Sequence, residues 1–237
     1  MKTIIHKAES RGEANYGWLI AKHSFSFADY YNPERMNFGV LRVLNDDIIA
    51  GGKGFGTHPH DNMEIITIPL KGALKHKDNM GNGTVIKEGD IQVMSAGTGI
   101  MHSEYNANND MEVNLLQIWL IPNKKNVKPR YGQTSFKNIE KKNEFYQILS
   151  PSKNEQGVWI HQNAWFYLGE FDKLEKCHYN LNDESNGVYI FVINGNANIE
   201  GIDLNKRDGV GIWDSKNIEI TAKPNTKILL MELPMSI

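Results

Sequence analysis

The sequence predicts an all-β protein organised as two β domains. Short runs rich in Val, Ile, Leu and aromatics recur between clusters of Gly, Asn and Asp, the composition of strands and tight turns. Helical periodicity is scarce. A weak internal repeat relates the first half to the second. Many short strands with turn signals imply a sandwich or barrel, and 237 residues suit one large domain or two small ones.

Taken in order, a turn is expected near residues 27–32, then a strand over 38–44 (FGVLRVL) and another over 63–70 (MEIITIPL). Asn79-Met80-Gly81-Asn82-Gly83 is turn chemistry, and 113–121 (VNLLQIWLI) reads as a strand. Residues 122–157 break this rhythm with Lys, Asn, Pro, Gln and Gly. They are expected to form a crossover between the domains, with a short helix near 136–142. Strands resume at 188–193 (VYIFVI) and 227–233 (KILLMEL), with Asn194-Gly195-Asn196 as a turn. The division is placed at residues 1–135 and 136–237.

The repeat aligns 68–72 (IPLKG) with 191–195 (FVING), and 87–94 (KEGDIQVM) with 206–213 (KRDGVGIW). On that alignment the second half offers Leu181, Asp183, Gly187, Thr221 and Lys223 where the first has His58, His60, Glu64, His102 and Glu104. Only the N-terminal copy then keeps a set of metal-type ligands.

Bulk composition excludes several classes of function. Hydrophobic residues make up 40%, enough for a core, and 26 Lys and Arg stand against 28 Asp and Glu. A balance of -2 gives no electrostatic reason to expect direct nucleic-acid or anionic-membrane binding. Lys124, Lys125, Lys128 and Arg130 form the one local basic cluster singled out. A single cysteine, Cys177, excludes an internal disulfide and points to a reducing cytoplasm. The segment Met1–His6 lacks the apolar run of a signal peptide. No stretch approaches the ~20 apolar residues of a membrane span. A monomer is the default expectation.

Two short clusters carry the chemistry: His58-Pro59-His60 and His102-Ser103-Glu104. Each sets two ligand-type side chains at i and i+2, which share one face of a strand. Two such strands facing each other would converge three imidazoles and one carboxylate, leaving room for water, oxygen or substrate. Neutral imidazole and carboxylate suit Fe, Mn, Co, Ni, Cu or Zn. Gly54, Gly56, Gly97 and Gly99 flank the clusters and allow close approach. Pro59 lacks an N–H and suits a strand end or edge. A lone His-x-His pair more often marks ordinary surface or core histidine; the second cluster of like period reverses that balance. Glu64 shares the parity of His58 and His60 and reads as a further ligand, a supporting group or a solvated strand residue.

Other candidates read as structural. His76, between two lysines, reads as a solvated strand residue. His6, His161 and His178 lack ligand spacing, and His23 reads as a packing residue near a barrel mouth. Cys177 reads as a lone buried thiol. No phosphate loop precedes a helix and no serine elbow is present.

These residues resemble the pirins of the cupin superfamily. The resemblance runs through Gly17-Trp18-Leu19, His23-Ser24-Phe25-Ser26-Phe27, residues 39–47 (GVLRVLNDD) and residues 54–64 (GFGTHPHDNME). Its most specific block is Met94 to Asn106 (MSAGTGIMHSEYN). The second half, from Trp165-Phe166-Tyr167-Leu168-Gly169 to Met235, looks like the bacterial quercetinase-type pirins. The resemblance implies a bicupin of two tandem jelly-roll-type barrels, with one metal, usually iron, bound in the first by His58, His60, His102 and Glu104. It implies a second barrel without ligands. Ser95 stands where many cupins carry Pro, and the carboxylate is expected from Glu104 rather than Glu64; both departures are pirin-like.

The activity so implied is quercetin 2,3-dioxygenase chemistry, cleavage of a flavonol by O2 with release of carbon monoxide. Fe(II) is the first choice of metal, with Zn, Cu, Ni, Co or Mn as alternatives. Glu104 would accept the proton of the flavonol 3-hydroxyl as general base on swinging off the metal. Phe25, Phe27 and Tyr30 are set over the mouth, with packing between barrels as their alternative role. The competing reading is a non-enzymatic iron-binding redox sensor or transcriptional co-regulator working through a protein partner. A zinc sugar isomerase would need basic groups that the sequence does not set near the ligands. A purely structural metal would need a closed coordination sphere.

Overall fold

The computed structural model describes residues 1–236, and almost all of its regular structure is strand. The strands form two barrels, each pairing a seven-stranded sheet with a four-stranded one. In the N-terminal barrel the large sheet runs Arg130–Ser135, Asp90–Ser95, Glu64–Lys71, Val113–Leu120, Leu41–Ile49, Leu19–His23, Gly12–Asn15. Its small sheet runs Gly54–His60, Ile100–Asn106, Ala73–Asp78, Gly83–Lys87. The C-terminal barrel repeats the order with Lys2–His6, Gly209–Trp213, Asn186–Asn194, Thr226–Pro234, Trp165–Phe171, Phe145–Ser150 and Val158–Trp159. It faces Glu175–Asn180, Asn217–Ala222, Ala197–Ile199 and Ile202–Leu204. The all-β bicupin expectation describes this architecture.

The largest apolar core lies between the barrels. Leu116, Ile118 and Leu120 alternate outward from one large sheet and meet Phe166, Leu168, Leu229 and Met231 from the other. Two large sheets thus pack back to back, each strand sending alternate residues into this layer and into its own barrel. Burial of each Leu or Ile contributes about 1.5–3 kcal/mol, so this layer dominates cohesion.

Several expectations need amendment. The strand expected over 38–44 is Leu41–Ile49, because Phe38–Val40 is spent on a tight turn closed by the bridge between Phe38 and Leu41, and three strands that were not expected precede it. The crossover at 122–157 holds the strands Arg130–Ser135, an edge of the N-terminal large sheet, and Phe145–Ser150, which lies between Trp165–Phe171 and Val158–Trp159 in the other. Residues 136–142 form one hydrogen-bonded turn instead of a helix, Glu140 N donating to Phe136 O at 2.9 Å. Among the described residues the single helical element is the 3-10 turn Ala8–Ser10. The expected turn at 27–32 is present, with Phe27 and Tyr30 bridged.

The division at residue 135 also misplaces one strand. Lys2–His6 pairs with Gly209–Trp213 and so completes the C-terminal sheet. It occupies the edge that Arg130–Ser135 fills in the N-terminal sheet. Residue 237, at the end of the expected second domain, lies outside the described residues.

Candidate metal centre and its cavity

The small N-terminal sheet builds the site. Strand Ile100–Asn106 is central, pairing with Gly54–His60 on one side and Ala73–Asp78 on the other. Its burial alternates strictly: Ile100, His102, Glu104 and Asn106 point inward, and Met101, Ser103 and Tyr105 outward. His102 lies opposite His58, and Ile100 opposite His60. A register shift between His102 and Glu104 lets the strand pass Gly54. Gly54 is required there, because a Cβ would overlap the Glu104 carbonyl oxygen.

His58, His60 and His102 each offer a nitrogen within 4.8 Å of the others. Their ring centroids are 4.4–4.9 Å apart. Glu104 belongs to a second group of the same reach, with His102 and His76. His102 is common to both, so the four residues singled out from sequence surround one corner of the barrel. Gln117 Nε2 holds Glu104 Oε2 at 2.9 Å, and Gln117 Oε1 accepts from Thr67 Oγ1 at 2.9 Å.

The electrostatics suit a cation. Burial, then the neighbouring His58, pushes His60 down to about 4. Burial, then His58, His60 and His76, pushes His102 down to about 2. Both rings are therefore neutral at pH 7 with lone pairs available. His58 Nδ1 donates to the Gly56 carbonyl at 2.7 Å, which leaves its Nε2 as the free lone pair. His102 Nε2 is buried and has no hydrogen-bond partner. A buried, orphaned imidazole nitrogen beside two further imidazoles is what a metal site without its ion presents. Burial raises Glu104 to about 7, against its hydrogen bonds from Gln117 and Thr67.

Glu64 stands elsewhere. Asn62, with φ 43°, turns the chain between the ligand strand and Glu64–Lys71, so parity does not carry across. Glu64 shares the outward phase of Ile66 and Ile68, accepts from Ser95 Oγ at 2.8 Å and faces Arg130 between the barrels. It is neither beside the imidazoles nor solvated.

His76 corrects the sequence reading in the opposite direction. It is fully buried, its Nε2 3.3 Å from Asp78 Oδ2 and its Nδ1 3.5 Å from His102 Nδ1. The signal was present: Lys75 and Lys77 mark the outer face of that strand, so Leu74, His76 and Asp78 share the inner one. His23 packs against Phe27 and Tyr30 with Nδ1 on Asn45 Oδ1. His6 is buried between the barrels on the Tyr189 hydroxyl. Cys177 is half-buried, and burial raises its thiol to about 11.

The three-histidine corner opens on a cavity of about 460 Å³. Trp18, Phe27, Phe55 and Trp119 give it aromatic walls, and His58, His60 and Glu104 lie at its base. Trp119 stands edge-on to His60 at 4.9 Å and to Phe27 at 5.3 Å. Of the aromatics expected over the mouth, Phe27 lines the cavity, Phe25 joins the core between barrels, and Tyr30 stacks on His23. Sequence reasoning missed Asp47, Gln117 and Trp119. Asp47 and Gln117 are polar residues on the inward phase of largely apolar strands, whereas Trp119 continues that phase and nothing local sets it apart; what brings the three together is the closure of distant strands around the cavity.

The C-terminal barrel offers no such group among the described residues. Strand pairing corrects the repeat here. Leu74, two residues after Gly72, pairs with Asn106; Ala197, two after Gly195, pairs with Ala222. Counting back, Ile218 and Ile220 occupy the seats of His102 and Glu104. Thr221 and Lys223 lie on the outward phase. Ile218 pairs with Tyr179 as His102 pairs with His58. No helix among the described residues is long and apolar enough to cross a membrane.

Comparison with known proteins places this geometry in a family. The Pirin family model matches residues 5–120, and the quercetinase C-terminal cupin domain matches residues 147–233. The chain is 43% identical over 230 residues to quercetin 2,3-dioxygenase of Escherichia coli strain K12, covering 97% of this chain and 98% of that one. It is 40% identical over 222 residues to a pirin-like protein of Caulobacter vibrioides, covering 93% and 95%. The crystal structure of bacterial pirin YhhW in complex with nickel(II), from Escherichia coli, matches with a TM-score of 0.93 and 40% identity over the whole of both chains. With two cupin domains in tandem and relatives of this identity along its length, the chain belongs to the pirin family.

Proposed function

We propose that this protein is a metal-dependent dioxygenase that cleaves quercetin or a related flavonol with O2. The observation that carries the reading is the three-imidazole group of His58, His60 and His102, with Glu104 in reach of His102, beside a cavity with aromatic walls that His58, His60 and Glu104 line. A volume of about 460 Å³ lies in the ~300–1,000 Å³ range of small-molecule sites. The relatives named quercetin 2,3-dioxygenase support the same substrate class.

His58, His60, His102 and Glu104 are proposed as the residues that would hold one divalent ion, with Fe(II) the first choice; the relative solved with nickel(II) supports a divalent ion. That ion would supply Lewis acidity and redox chemistry toward O2. The chain supplies the rest. Trp18, Phe55 and Trp119 would bind and orient a planar aromatic and exclude water from it. Glu104 lines the cavity and, on swinging off the ion, would accept the phenolic proton as general base. Gln117 hydrogen-bonds the same carboxyl.

Anaerobic reconstitution with Fe(II), then quercetin and a pulse of O2, tests the reading. Flavonol-dependent O2 uptake is expected, and His58→Ala is expected to lose both the metal and the uptake. Full turnover by a metal-free variant overturns it. A fully loaded protein that consumes no O2 with any flavonol overturns it in favour of a redox-responsive regulator.

A further inference from the structure

We propose that Asp78 and His76 form a hydrogen-bonded relay that sets the tautomer of His102 and aims its Nε2 into the metal site. The proposal rests on the ligand role given to His102 above. It adds two positioning residues behind it.

The relay follows from donor and acceptor counting. Asp78 is fixed in the turn after its strand: Oδ1 accepts from the backbone N–H of Met80 at 2.9 Å and of Asn82 at 3.0 Å. Oδ2 accepts from Asn82 Nδ2 at 2.7 Å and faces His76 Nε2 at 3.3 Å. A carboxylate only accepts, so the His76 proton sits on Nε2. The neutral ring then presents a lone pair at Nδ1. His76 Nδ1 lies 3.5 Å from His102 Nδ1, so His102 must be the donor there. With its proton on Nδ1, His102 has its lone pair on Nε2, the buried nitrogen that lacks a protein partner. The Asp78 and His76 side chains are wholly buried, and the His76 ring packs on Tyr131 with centroids 4.9 Å apart.

Two consequences follow. His76 is not itself a ligand in this arrangement, although it lies within ligand reach of His102 and Glu104, because both its nitrogens are engaged. His102 and His58 also receive the same tautomer by different means, one from a carboxylate through a second histidine and the other from the Gly56 carbonyl.

The decisive variant is Asp78→Asn, which conserves volume. The backbone N–H groups of Met80 and Asn82 would hold the amide oxygen, leaving the NH2 toward His76. His76 would then carry its proton on Nδ1, and His102 would be driven to protonate the nitrogen that faces the metal. The same carboxylate-to-amide exchange imposes the wrong tautomer in other histidine relays. Ni(II) affinity, read by chelator competition on protein shown to be folded, is expected to fall about 10- to 100-fold; the new NH2 also meets the Asn82 Nδ2 donor, so the unfolding midpoint of the metal-free protein is expected to fall as well. Unchanged Ni(II) affinity overturns the relay.

A measurement on the unaltered chain stands apart from whether the variant folds. Long-range 1H–15N spectra of the metal-free protein are expected to show His76 protonated at Nε2 and His102 at Nδ1. The reverse assignment overturns the proposal. So does loss of one coordinated imidazole from the pulsed EPR spectrum of Cu(II)-loaded protein on His76→Gln. His102→Ala separates the two levels: retention of Ni(II) would sink the ligand assignment, whereas its loss beside an unaffected Asp78→Asn would sink only the relay.

Discussion

In the N-terminal barrel two strands of the small sheet carry His58, His60, His102 and Glu104 inward, and the apolar interior is divided. Leu19, Ile49, Leu74 and Leu115 pack at one end; Ile65, Met94 and Ile100 pack at the other. In the C-terminal barrel the matching strands carry Tyr179, Ile218 and Ile220, which join Val188, Ile190 and Leu230 in one continuous core. The strand order is the same. Backbone topology therefore does not determine which barrel holds a site. The inward phase of two strands does, and it trades apolar burial for buried polar groups that need partners.

The sharpest way to break this comparison is to exchange the seats. His102→Ala is expected to reduce Ni(II) affinity by at least ~100-fold, since ligand loss exceeds the 10- to 100-fold effect of supporting groups. Titration calorimetry checks it. Ile218→Ala, at the matching seat, should leave Ni(II) binding intact and cost about 2–5 kcal/mol in urea unfolding. Metal dependence on Ile218 would end the distinction.

A smaller effect is expected at the mouth of the C-terminal barrel. Glu232 accepts from the Tyr179 hydroxyl at 2.6 Å, from the backbone N–H of Asn182 and Asp183, and from the Asn186 amide. It ties down the loop that follows Glu175–Asn180, where the N-terminal barrel instead has its ligands. Glu232→Gln is expected to cost about 1–3 kcal/mol by the same unfolding measurement, because the amide brings a donor into a cluster of donors. Unchanged stability would show that the loop stands without it.

The halves should also differ in their response to pH. Burial raises Asp47 to about 8, with Asp46 and Glu104 adding to the shift. Burial raises Glu64 to about 7, against Ser95, the backbone at His161 and Arg130. Both values lie above those of the unfolded chain, so the native state binds more protons between about pH 4.5 and 8. Stability supplied by these groups is therefore lost as pH rises. Between about pH 7.5 and 9, above the ~6.5 at which unfolded imidazoles titrate, the metal-free protein is expected to lose a few degrees of Tm. Asp47→Asn should flatten that slope, and an equal slope in the variant would contradict the assignment.

The smallest effect belongs to the seam between barrels. The Arg130 guanidinium lies 3.8 Å from the centre of the Trp159 ring. Arg130→Lys is expected to cost about 1 kcal/mol, because an ammonium keeps the charge but loses the planar stacking. Chemical denaturation checks it.

Legibility in the sequence followed local physics. The clusters at 58–60 and 102–104 could be read because period two is a property of any strand. Strands such as Asn186–Asn194 and Thr226–Pro234 announced themselves by continuous apolar runs buried on both faces. The errors arose where local rules stop. Glu64 seemed to share the histidine face until Asn62 turned the chain. His76 seemed solvated because its lysine neighbours are, although alternation puts it on the other face. Thr221 and Lys223 were misplaced because a repeat matched on turns does not fix strand register. Asp47 and Trp119 became visible only once distant strands closed around one cavity.

The strand Lys2–His6 ties the beginning of the chain to its end. Its partner is Gly209–Trp213, and His6 meets the Tyr189 hydroxyl across 183 positions of sequence. During synthesis this segment precedes its partner by the whole of the N-terminal barrel, so its edge of the sheet exists only after that barrel's strands have appeared. Closing so long a loop is entropically costly and slows folding. The first barrel can therefore assemble while Lys2–His6, which belongs to the second, is still unpaired. A cut at the seam would not release two independent modules: the C-terminal fragment would leave an open β edge, a template for self-association.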